Sequence, residues 1–184
     1  MLLQHQNYRR TAWKNGRGMT DDIAIDDGQA PRWRLSLATI ERTAPFSDFP
    51  GYDRTFVVAG GAGVVLRPQG GRPVALDRPG ALYAFPGERP VVCVPRKGVT
   101  HALNVFALRN SVAADVTLCS LERHATWLPP AGTSYVFVIA GTLEASQGLA
   151  RRHDTLVVAS GGTAVRALEL AMLAAVSVRD GAPA

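Results

Sequence analysis

Apolar positions along the chain fall in short runs, and the residues between them are turn formers. The segment WRLSLAT, Trp33 to Thr39, alternates large apolar side chains with Arg34, Ser36 and Ala38, the period of a half-buried strand. TFVVA, GVVLR, ALYAF, VVCVP, LNVFALR, DVTLCS, SYVFVIA, TLEAS and TLVVAS follow as further short runs. Many are rich in β-branched and aromatic residues, and Gly, Pro and Asp lie between them. This spacing predicts an all-β sandwich or barrel. The run TAVRALELAMLAAV, residues 163–176, also fits a helix, with Val165, Leu168, Met172 and Val176 on one stripe. A pair of strands is preferred there because the chain nearly repeats itself.

The repeat runs as follows. Phe56 to Gly60 reads FVVAG, then a glycine turn, the strand GVVLR, a polar stretch and GALYAF. Val136 to Gly141 reads VFVIAG, then TLEAS, a polar stretch and DTLVVAS. The same order of strand, Ala-Gly turn, strand, longer connection and strand suggests a duplicated unit. Two small antiparallel barrels, residues 1–111 and 112–184, would pair both sets of strands and leave few open edges. The tail from Thr163 then supplies the last strands of the second barrel. Gly60-Gly61-Ala62-Gly63 lacks the Lys-Ser/Thr and helix of a phosphate loop and reads as a hairpin turn needing positive φ.

Composition narrows the function. A chain of 184 residues with 47% apolar content buries about 70% of its unfolded surface and needs no covalent staples. No segment is apolar for long enough to span a bilayer as a helix. MLLQHQNYRRTAW lacks the apolar core of a signal peptide, so a cytoplasmic protein is expected. Cys93 and Cys119 sit in strand-like apolar runs without redox-pair or zinc spacing, and buried, unpaired thiols are expected. The net charge of +5 is scattered arginine rather than a basic stripe with interleaved aromatics, so neither nucleic acid nor a membrane is an expected partner. Guanidinium groups also suit small carboxylates, which they grip in a bidentate fork.

Four blocks carry a family resemblance. WKNGRGMTDDIA, Trp13 to Ala24, resembles the W-K-N-G-G-G-x-T-x-E-I-A signature of the HutD/Ves family. WRLSLATI is similar to that family's next strand, and PFSDFPGYDR, Pro45 to Arg54, to its most distinctive block. KGVTHALNVF, Lys97 to Phe106, resembles a fourth, G-x-T-x-D-x-N-x-M. Together they cover most of the first 110 residues, while the second half matches only in general pattern. The resemblance implies an all-β bicupin, two jelly-roll-like cupin barrels in one chain. It also implies binding of a small carboxylate such as N-formylglutamate or urocanate, as a regulator of histidine utilisation without established catalysis. Three positions depart from the pattern: Arg17 replaces a glycine, Asp22 a glutamate and Ala102 an aspartate.

The chemistry available is sparse. A cupin metal site needs about three converging ligands, often a His-x-His pair and a glutamate. His5, His101, His124 and His153 form no such pair, so no metal and no cofactor are expected. No G-x-S-x-G elbow exists, and neither cysteine has a histidine nearby in sequence. Asp21 with Asp22, and Asp48 with Asp53, could do acid–base work if desolvated, but capping or solvated aspartates are more common. The ligand set is therefore built from convergence: Asn15, Thr20 and Asp22 from the first block, Arg34 and Ser36 from the second, Ser47 and Arg54 from the third, His101 and Asn104 from the fourth. If these line one barrel mouth, they complement a small anionic metabolite. The plainer alternatives are an internal Asp53–Arg54 ion pair, a bare Asn15-Gly16 hairpin turn, and Trp13, Phe46, Phe49 and Tyr52 as core plugs. Two other functions stay open: a cupin isomerase or hydrolase using Asp22 or Asp53, and a protein-interaction module in a stress response, which the Ves side of the family allows. A homodimer is compatible with either.

Overall fold

A computed structural model describes residues 1–13, 18–28, 30–158, 162, 164 and 165–181. Among them the chain is all-β, with one short 3-10 turn at His5–Asn7. It divides into two compact units: residues 9–112 form one, and residues 1–8 with 113–181 form the other.

Each unit consists of two antiparallel sheets. In the unit of residues 9–112, a six-stranded sheet runs in the order Arg9–Ala12, Met19–Ile25, Trp33–Ile40, Thr100–Leu108, Tyr52–Gly60, Leu82–Pro86. A four-stranded sheet runs Ala44–Pro45, Val91–Pro95, Val64–Pro68, Val74–Leu76. In the other unit the five-stranded sheet is Leu2–Leu3, Thr155–Val157, Thr133–Ala140, Ala171–Asp180, Val112–Leu121. Its four-stranded companion is Thr126–Trp127, Val165–Ala167, Leu143–Ala145, Gly148–Ala150. None of the four closes on itself among the described residues. The run after residue 163 is strand, as the repeat suggested, because its two halves pair into separate sheets of the second unit.

The first unit's core is built from both of its sheets: Ala38, Phe56, Val58 and Ala102 from the larger, Leu66, Val91 and Cys93 from the smaller. WRLSLATI departs from a half-buried strand in an instructive way. It is hydrogen-bonded on both edges and covered on both faces, so Ser36 is 1% exposed and Leu35 and Leu37 are fully buried. The polar alternate face is therefore interior, which is where a ligand can meet it. The turn after Gly60 demands glycine by contact as well as conformation. Gly61 has φ +87, and a Cβ there would stand 2.2 Å from the Val99 carbonyl oxygen.

Both cysteines are unpaired, Cys93 buried and Cys119 half-buried. Among the described residues no helix is long and apolar enough to cross a membrane.

Candidate functional site

The corner PFSDFPGYDR shapes one wall of the site. Pro50 presets φ at the second position of a turn and Gly51, with φ +84, takes the third. The Tyr52 N–H closes that turn on the Phe49 carbonyl at 3.2 Å. Two backbone bonds then pin the corner to the rest of the unit: Phe46 N–H donates to Val91 and Phe49 N–H to Gly87. Gly87 has no room for a side chain, since a Cβ would lie 2.6 Å from the Phe49 carbonyl oxygen. A corner held this tightly fixes where Phe46, Ser47 and Phe49 point, and all three line a cavity of about 170 Å³.

The opposite wall comes from the larger sheet. Strand register puts Arg34 across from Phe106 and Phe106 across from Arg54, one row over three strands. The next row holds Ser36 opposite Asn104. All five face the cavity. Such a volume is smaller than the roughly 300–1,000 Å³ of drug-sized sites, so only a compact molecule would fit it.

Arg54 is the decisive group. It is 5% exposed. Its Nε and Nη2 both donate to Asn104 Oδ1, at 3.1 and 2.6 Å. Asn104 is itself fixed by donating from Nδ2 to the Ala102 carbonyl at 3.2 Å, so only an amide serves both neighbours. The guanidinium carbon lies 3.8 Å above the centre of the Phe46 ring, with the Phe106 and Phe85 rings at 5.1 and 5.4 Å. Among the described residues no carboxylate pairs with it, and its Nη1 has no acceptor. Burial lowers its pKa from 12.5 to about 9; the nearby Cys93 thiol works against that fall and Arg34 adds to it. At neutral pH a full positive charge is thus held in an aromatic box by a neutral partner.

Arg34 is arranged differently. Its Nε and Nη2 converge on Asp22 Oδ1, at 2.8 and 2.5 Å, so its charge is already matched. Asp22 also accepts from the Thr11 hydroxyl at 3.3 Å. Trp13 closes the cavity's side: its Nε1 donates to the Thr20 hydroxyl at 2.7 Å and its ring covers Gly18, where a Cβ would meet it at 2.8 Å.

The structure therefore brings together Thr20, Arg34, Ser36, Ser47, Arg54 and Asn104 around one cavity. Asp22 stands behind Arg34 rather than on the wall. His101 is half-buried at a bulge between paired strands and is not among the lining residues. Asn15 falls outside the described residues. The Asp53–Arg54 ion pair does not form: neighbours on a strand face opposite ways, and Asp53 is exposed and salt-bridged to Arg109 at 2.9 Å. Trp13, Phe46 and Phe49 are walls as well as packing groups, whereas Tyr52 caps the Pro31 carbonyl at 2.5 Å. Thr11, Ala12, Ala38 and Phe106 also line the cavity and were not singled out from the sequence. Period-two counting from Trp13, Ser36 and Asn104 would have found Thr11, Ala38 and Phe106. Among the described residues no group of three or more His, Cys, Asp or Glu side chains could hold a metal ion.

An all-β unit of two facing antiparallel sheets, with a small cavity on the larger one, is a cupin-like architecture. The fold is shared with a cupin 2 conserved barrel domain protein from Leptotrichia buccalis, at 9% identity, a TM-score of 0.58 and 92% coverage of each chain. Within that class, the chain belongs to the HutD family, whose model matches residues 5–175. A crystal structure of a conserved protein of unknown function from Pseudomonas aeruginosa PAO1 is similar at 28% identity and a TM-score of 0.82, over 99% of each chain. HutD from Pseudomonas fluorescens SBW25, in a formate condition, is similar at 27% identity and 0.79, over 97% of this chain and 98% of that one. An uncharacterised 21.2 kDa protein in the hutC 3′ region of Pseudomonas putida is 39% identical over 108 residues. That match spans 57% of this chain and 56% of the Pseudomonas putida protein, little more than half of each.

Proposed function

We propose that this protein binds a small carboxylate metabolite in the Arg54 cavity, without metal and without turnover, as a regulator of histidine utilisation in the cytoplasm. The carrying observation is Arg54 itself: a buried guanidinium facing the cavity, with no carboxylate partner among the described residues. A buried charge is normally paired, because leaving water costs several kcal/mol. An anionic ligand is the partner that would complete this one. Each charge-assisted hydrogen bond it made would contribute about 1.5–3 kcal/mol, so three or four would sustain micromolar binding near −8 kcal/mol. The hydroxyls of Ser36, Ser47 and Thr20 offer the neutral contacts for an amide or imidazole edge. On this reading both units follow the bicupin plan, and the first carries the ligand.

The histidine connection rests on family membership and on the hutC-region relative, which make intermediates of histidine breakdown the ligands to try first. Thermal unfolding is measured with N-formylglutamate, urocanate and formiminoglutamate, each against a chloride control of equal ionic strength. At least one should raise the melting temperature. If none does, the ligand class is wrong.

A further inference from the structure

We infer that the cavity is charge-selective, admitting a ligand with a single anionic group, and that Asp22 is the residue setting this limit. The inference rests on the carboxylate reading above and narrows it. Two arginines line the cavity, but they are not equivalent. Arg54 is held by a neutral amide and keeps its charge unbalanced, whereas Arg34 places two nitrogens on Asp22 Oδ1. Counted with Asp22, the described walls present one surplus positive charge.

Position matters as much as number. Asp22 is not a solvated rim group: its side chain is 10% exposed, and that of Arg34 is 23% exposed. Its other cationic neighbour, Arg9, is 3.7 Å away and 82% exposed, so water screens that pair. Arg34 keeps donors at Nη1, but a second ligand carboxylate bound there would share a guanidinium whose charge Asp22 already matches and would sit beside that poorly solvated carboxylate, and like charges so placed repel. The lining otherwise offers Trp13, Phe46, Phe49 and Phe106 with scattered hydroxyls. Those surfaces accept an apolar or flat body better than a second charge.

The geometry thus favours a monocarboxylate with an unsaturated or aromatic body over a flexible dicarboxylate. Among ligands of histidine breakdown it favours a urocanate-like compound over a formylglutamate-like one.

A matched pair of probes isolates the charge. Crotonate and fumarate share a planar four-carbon skeleton, and fumarate has a carboxylate where crotonate has a methyl group. Both are titrated by calorimetry into the full-length protein at equal ionic strength, since exposed charges respond to salt. Wild-type protein should bind crotonate at least about tenfold more tightly. Asp22→Asn frees Arg34 for a second carboxylate and should narrow or reverse the preference by about tenfold or more, from one charge-assisted contact. Fumarate binding as tightly as crotonate in the wild type would overturn the inference and leave carboxylate binding standing. An unchanged ratio in Asp22→Asn would remove Asp22 from the role. If neither probe binds at millimolar concentration, no single-anion subsite exists and the inference falls. The wild-type comparison decides the point even if the variant does not fold.

Discussion

Replacing Arg54 by methionine should make the empty protein no less stable and the ligand-binding protein useless. The wild-type guanidinium is 5% exposed, and burial lowers its pKa from 12.5 to about 9. At about 1.4 kcal/mol for each tenfold loss of proton affinity, holding the charge costs on the order of 5 kcal/mol. Methionine removes that cost and, being flexible, fills most of the same space. Two losses offset the gain. Asn104 Oδ1 gives up both its donors, worth about 1–3 kcal/mol, and the stacking over Phe46 at 3.8 Å goes, worth about 1–2 kcal/mol. The balance runs from about zero to a gain of about 3 kcal/mol. For a chain of this length that raises the melting temperature by up to about 12 °C.

Differential scanning fluorimetry or calorimetry reads both halves of the prediction at once. Without ligand, Arg54→Met should melt at or somewhat above the wild-type temperature. With a saturating carboxylate the wild type should shift upward and the variant should not. The opposite result is equally clear. An arginine serving only to hold the core together would make the variant melt well below wild type while keeping its ligand response, and that outcome would refute the reasoning. Under the proposed function, the trade is the familiar one in which a binding group is kept at the expense of stability.

Two further measurements test the surroundings. Burial pushes the Cys93 thiol up to about 12, while Cys119 is only half-buried, so a disulfide-exchange reagent should label Cys119 in the native protein and both after unfolding; two reactive thiols in the native state would contradict the placement of Cys93. Asp26 accepts from the Arg32 backbone N–H at 3.0 Å and from its Nε at 3.2 Å, and these bonds hold its carboxyl below the ordinary value of 3.8. The unfolded chain therefore binds the proton first as pH falls, so this contribution is present above 3.8 and lost through the lower native value. Asp26→Asn should be less stable than wild type at pH 7, with the gap closing under acid; a gap independent of pH would refute the assignment.

The sequence made the architecture readable because strands and turns announce themselves locally. Alternation in WRLSLATI, the glycines after Gly60 and Ala140, and the prolines of PFSDFPGYDR each have a single geometric meaning, and residues 163–176 were resolved by analogy with the earlier repeat. The convergence of Thr20, Arg34, Ser36, Ser47, Arg54 and Asn104 was also legible, since four separate blocks each supplied polar residues on one face. Pairing was not legible. Nothing local to Arg34 says that Asp22, twelve positions earlier, will neutralise it, because that contact depends on the register of two strands and a bulge between Asp22 and Ala24. The sheet assignment of Leu2–Leu3 depends on a contact far more distant in sequence, the pairing of Leu2 with Leu156 and Leu3 with Thr155. Nor did adjacency reveal that Asp53 and Arg54 would part, with Asp53 going to Arg109 on the opposite side.

The repeat explains why only one half of the chain carries recognisable blocks. Gly61 packs against the Val99 carbonyl just before strand Thr100–Leu108, and Gly141 against the Leu170 carbonyl just before strand Ala171–Asp180. Register agrees: Val58 lies opposite Ala102 and Phe56 opposite Asn104, as Val138 lies opposite Leu173 and Val136 opposite Ala175. Counting back from the two glycines sets Ser134 in the place of Arg54 and Ala175 in the place of Asn104. Ser134 spends its hydroxyl on the backbone of Val178, accepting at 3.2 Å and donating at 3.4 Å. The second unit thus keeps the glycine, the strand pair and the apolar alternation, and lacks the cation and its amide. A frame asks only for residue classes, which many sequences satisfy. A buried guanidinium steadied by one carboxamide asks for particular residues at positions 54 and 104, and the third and fourth blocks are where those residues lie.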